Sequence, residues 1–130
     1  MIKVSNTMPI QLEASETNSI RSYTDTNITV GQMVYQHSVI ISKDSIISPW
    51  TILSINDINE TTLAPALRLQ PDIIIIGQSE LSQQLPIAIM AYLSQQRVGI
   101  ECMSIGSACR TFNLLLSEQR RVVAGIILAS

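Results

Sequence analysis

The chain has 130 residues, a length that suits one domain spanning residues 1–130 with a core of its own. Hydrophobic residues make up 46% and charged residues 14%, a balance that excludes a disordered chain. The formal net charge is −2 and aromatics are only 4%, so neither a basic footprint nor a stacking platform for nucleic acid is present.

Residues 1–18 are polar and rich in Ser and Thr, which predicts a loosely ordered N-terminal arm. Residues 19–55 read as β structure. Ile20, Ser22 and Thr24 begin an alternation, Ile28 and Val30 lead to Gly31, and two apolar triplets, Met33-Val34-Tyr35 and Val39-Ile40-Ile41, flank Gln36, His37 and Ser38. Lys43-Asp44 offers a turn into Ile46-Ile47, and Trp50 follows Pro49 as the expected anchor of the β half to the core. Short helical turns are expected over 56–70, capped by Asn59 and limited by Pro65.

Pro71-Asp72 then introduces IIIIG, a β-branched run that predicts a strand buried on both faces. A helix is expected near 83–96, with Pro86 in its first turn and a stripe of Leu85, Ala88, Ile89, Tyr92 and Leu93. Gly99 to Met103 is the next strand. Ser104 caps a helix whose apolar face carries Ile105, Ala108, Cys109, Phe112, Leu115 and Leu116, and Arg121 to Leu128 closes with a third strand. Strand–helix–strand–helix–strand with short loops implies right-handed crossovers and a largely parallel core, with the N-terminal β segment extending or capping the sheet.

In such a sheet, ligands favour the crevice beyond the carboxyl ends of the strands. Two loops lie there: Gly77-Gln78-Ser79-Glu80, and Ser104-Ile105-Gly106-Ser107, which runs into a helix N-terminus suited to anions. Capping alone also explains Ser and Gly at these positions, and neither loop is a nucleotide-binding fingerprint. Arg110 and Asn113, three apart, share a face off the apolar stripe; Arg110 suits a carboxylate or phosphate, or an internal pair with Glu101 or Glu118. The candidate ligand or partner residues are therefore Gly77, Gln78, Ser79, Ser104, Gly106, Ser107, Arg110 and Asn113.

Cys109 sits beside Arg110 in a first helical turn, as a nucleophile would, but helical phase turns it into the core, where a structural thiol is expected. His37 lies far upstream, and no His or Cys spacing fits a metal, so no catalytic residue, metal or cofactor is assigned. Two cysteines make no disulfide framework, which favours reduced thiols in the cytoplasm. The N-terminus lacks an apolar signal region, and Ile73–Ile76 is far too short to span a bilayer.

Gly99, Glu101 and Met103, then Ala108-Cys109-Arg110-Thr111-Phe112-Asn113, then Leu115, Glu118 and Arg120-Arg121, resemble the signature of a family named after an archaeal Mth hypothetical protein. The resemblance runs over roughly residues 20–128, with its specific part in the last third. It departs from the family at Gly77-Gln78-Ser79, where a Gly-Thr-Gly loop is usual, and at Phe112, where a Tyr is usual. It implies an α/β, three-layer Mth-type fold with a mixed, mostly parallel central sheet, helices and an N-terminal antiparallel β portion. The family includes a mitochondrial complex I (NADH dehydrogenase) assembly factor, which implies a non-enzymatic interaction or assembly module with a protein partner. Self-association, and a small anionic-ligand-binding protein or enzyme using loops 77–80 and 104–110, are the alternatives.

Overall fold

The computed structural model describes residues 18–80 and 83–129. The arm expected over residues 1–18 lies, up to residue 17, outside the described residues. Three short strands come first: β1 (Ile20–Tyr23), β2 (Ile28–Val30) and β3 (Met33–Tyr35). They form an antiparallel sheet of their own. Thr24 turns the first hairpin, its Oγ1 accepting from the backbone N–H of Thr26 and Asn27 at 3.1 Å each. Gly31, at φ +60°, turns the second, where a two-residue loop between Val30 and Met33 calls for a positive φ.

The chain then crosses to a five-stranded sheet through Gln36–Ser38. β4 (Val39–Ile41) and β5 (Ile46–Ile47) form one side of it, joined by the turn at Lys43-Asp44. β6 (Ile73–Gln78), β7 (Gly99–Ser104) and β8 (Val122–Ile126) form the other. The order is β5-β4-β8-β6-β7: β6 is parallel to both β7 and β8, and β4 is antiparallel to β8. The sheet is mixed, with its parallel part where the β-branched runs lie. The N-terminal β segment does both jobs the sequence left open: β1–β3 cap one face and β4–β5 extend the edge.

Strand parity sends side chains into two cores. Ile73 and Ile75 face a core made with helix α3 (Ile105–Ser117) and the capping strands, where Phe112 is fully buried. Ile74 and Ile76 face a second core with α1 (Glu60–Leu67) and α2 (Ile87–Gln95), where Leu63 and Leu93 are fully buried. Each such side chain contributes roughly 1.5–3 kcal/mol by leaving water. The result is three layers: helix and capping sheet, central sheet, helices.

Trp50 anchors the second core as expected. Its Nε1 donates to the Thr62 carbonyl at 2.9 Å, and a Cβ at Gly125 would come within 2.7 Å of its ring. Two expectations are corrected. Helix α2 starts at Ile87, not near 83, because Pro86 takes an extended ψ of 135° and stands outside the helix as its N-cap. Ala88 is exposed rather than part of the buried stripe, which is carried by Ile89 and Leu93. Pro65 lies inside α1, a short helix of eight residues that ends at Leu67. Helix α3 follows its expected stripe from the cap at Ser104.

Candidate functional site

The carboxyl ends of β6 and β7 lie side by side, with Gln78 paired to Ser104, so both loops named by the sequence reach the same end of the sheet. Parity then separates them. Gly77 faces α3, and Gln78 faces α2.

On the α3 side the polar groups are turned on one another. Ser104 Oγ accepts from the Ser107 backbone N–H at 3.2 Å and donates to Ser107 Oγ at 3.0 Å, capping the helix. Arg110 reaches no acidic side chain among the described residues. Its Nη1 donates to the Tyr23 hydroxyl at 3.4 Å and its Nη2 to Ser107 Oγ at 3.5 Å, both long. The pairing expected with Glu101 or Glu118 is absent because Glu101 is exposed and meets no buried need for a partner. Asn113 holds the capping sheet in place: Oδ1 accepts from the Ile20 N–H at 2.8 Å and Nδ2 donates to the Ile20 carbonyl at 2.9 Å.

The glycines here make room for neighbours. A Cβ at Gly77 would lie 2.7 Å from Ala108 Cβ and 3.0 Å from Ile126 Cδ1, so its bareness lets α3 sit close on β6. A Cβ at Gly106 would lie 2.5 Å from the Tyr23 hydroxyl oxygen. Cys109 is buried in the α3 core, and desolvation pushes its thiol up to about 12 against the smaller opposing pull of Arg110. It stays protonated and non-nucleophilic at neutral pH. His37 is exposed on a separate cleft beside Trp50, to which α3 contributes no wall. Among the described residues, no three His, Cys, Asp or Glu side chains are grouped to hold a metal ion.

The α2 side is open. A cleft of about 410 Å³ lies where the start of α2 meets β7. Its polar wall is Gln78, Gln83 and Gln84; its apolar wall is Leu85, Met90 and Ile100, and β7 borders it at Glu101 and Cys102. Gln78 is buried and its Nε2 donates to the Gln83 carbonyl at 3.3 Å. Gln83 Oε1 is buried with no hydrogen-bond partner among the described residues, a deficit of about 1–3 kcal/mol. Cys102 is exposed; partial desolvation, then the charge of Glu101, raise its pKa. Beside the cleft α2 exposes Ile87 (83%) and Met90 (52%), and β7 is the edge of the sheet.

Of the residues named from the sequence, the fold brings Ser104, Gly106, Ser107 and Arg110 together around Tyr23. It sends Gln78 alone into the α2 cleft and commits Asn113 to β1; Ser79 is exposed at the strand end. Sequence reasoning missed Tyr23, Gln83, Ile87 and Met90. The last two carried a usable signal: apolar residues three apart on a helix, off its buried stripe.

The match to known proteins follows the same elements. A family model described as "Protein of unknown function (DUF498/DUF598)" covers residues 20–127, from the first residue of β1 to just past β8. The chain belongs to this family.

A frog (Xenopus tropicalis) relative, NADH dehydrogenase [ubiquinone] 1 alpha subcomplex assembly factor 3, is 30% identical over 68% of this chain. The chain spans only about half of that protein, 55% of its length. The 13 kDa major membrane protein of Francisella tularensis is 31% identical over 72% of this chain and 76% of its own. A crystal structure from Bordetella parapertussis matches at 28% identity and a TM-score of 0.79, covering 88% of this chain and 98% of that one. A Bordetella pertussis protein described as a Mth938-like domain matches at 23% identity and a TM-score of 0.76, covering 99% and 95%, and shares the fold. The expected Mth-type, three-layer fold is thus the one found. Among the described residues no helix is long and apolar enough to cross a membrane.

Proposed function

We propose that this chain is a non-enzymatic protein-interaction module that serves the assembly of larger complexes, and that its partner docks on the α2–β7 side. The observation that carries this reading is the exposure of Ile87 and Met90 beside an edge strand and an open cleft. Exposed apolar side chains grouped at a sheet edge favour association. An assembly role is in keeping with the frog relative, whose name is that of a complex I assembly factor. A role in respiratory complex biogenesis, in the cytoplasm where both thiols stay reduced, is the specific form of the proposal.

The alternative, a small anion held by loops 77–80 and 104–110, has less support. Its only cation, Arg110, and its capping serines are already hydrogen-bonded within the site. The test is affinity capture with cross-linking from native cells, comparing the natural chain with Met90→Lys and with Arg110→Ala. Loss of the captured partner in Met90→Lys alone is expected.

A further inference from the structure

Strand β7 is built to accept another strand. It runs six residues, has β6 as its only strand neighbour among the described residues, and carries neither Pro nor Lys to discourage pairing. Its outer row of backbone N–H and C=O groups therefore faces outward along the cleft. Register with β6 fixes where its side chains point. Ile100 and Cys102 lie opposite Ile74 and Ile76 and so face the α2 cleft. Glu101 lies opposite Ile75 and faces the α3 side. No ion pair is made by Glu101 among the described residues.

We infer that β7 binds an extended segment of a partner protein as a sixth strand, one whose side chains alternate apolar and basic. This rests on the interaction reading above and gives the partner its chemistry. Apolar side chains of the added strand enter the cleft against Leu85, Met90 and Ile100. The alternate side chains stand on the opposite face, where a Lys or Arg meets the Glu101 carboxylate across the strands. A second copy of this chain is a poorer occupant. Paired through its own β7, Gly-Ile-Glu-Cys-Met-Ser, it supplies a carboxylate and no cation.

The probe is an acetylated, amidated eight-residue peptide of alternating Lys and Val, set against the same peptide with Glu for Lys. Amide resonances of the isotope-labelled full chain are followed during titration. The Lys-Val peptide is expected to shift Gly99–Ser104 and Gln78 saturably, and backbone N-methylation of the peptide is expected to abolish this. Glu101→Lys, an exposed position whose fold is checked by circular dichroism, is expected to weaken Lys-Val binding roughly tenfold and favour the Glu-Val peptide, as attraction becomes repulsion. Equal binding of both peptides, no saturable shift in β7, or β7-mediated dimers in light scattering would overturn the proposal. Capture of a partner that is lost in Met90→Lys, with neither peptide bound, would also overturn it while leaving the interaction reading standing.

Discussion

The two sides of the β6–β7 strand ends make a useful contrast. Both present polar residues beside a helix, and both lie where α/β sheets usually bind ligands. On the α3 side, Ser104 and Ser107 bond each other, Arg110 makes only long contacts with Tyr23 and Ser107, Asn113 is occupied by β1, and the space over Gly77 and Gly106 is filled by Ala108 and Tyr23. On the α2 side, among the described residues, a buried amide oxygen lacks a partner, apolar side chains meet water and the sheet has an edge. The part of the chain richest in signature residues is the closed one. A polar cluster within a signature can be recurrent because it holds layers together, and what remains unsatisfied is the better guide to binding.

The contrast breaks first at Gly77. If it is a packing glycine, Gly77→Val drives methyls into Ala108 and Ile126 and destabilises the fold by about 3 kcal/mol. Urea unfolding measures this. A ligand-loop glycine would instead tolerate the change in stability.

Asn113→Ala comes next. It strands the N–H and C=O of Ile20 and is expected to cost about 2–3 kcal/mol by the same measurement. Asn113→Asp keeps the acceptor and so separates the two bonds.

A pH-dependent effect concerns the thiols. Cys102 is expected to react with a thiol reagent in the folded state, and Cys109 only on unfolding. Because burial raises the Cys109 pKa to about 12 from the ordinary 9.0, its contribution to stability is fully present below pH 9 and is lost progressively as pH rises towards 12. Stability measured over that range in Cys109→Ala should lack this component.

Much of the fold was legible from local pattern. IIIIG announced a buried strand, and the stripe from Ile105 to Leu116 announced a helix with Cys109 turned inward. The start of α2 was misplaced because a Pro in a first turn and a Pro just outside it look alike until its ψ is known. The site was far less legible. That β7 is an edge and Gln83 lacks a partner among the described residues, and that Gly77 and Gln78 serve opposite faces, all depend on strand order and on contacts between distant segments. Local periodicity carries none of that information. Ile87 and Met90 were visible as apolar residues off the stripe, but only the position of β7 gives their exposure a role.

The most direct test of the central claim is the quantitative capture comparison between the two sides. The amount of cross-linked partner recovered by Met90→Lys should fall to background while Arg110→Ala retains the natural level, with both variants folded. Retention by Met90→Lys together with loss in Arg110→Ala would contradict the account and move the docking face to the α3 side.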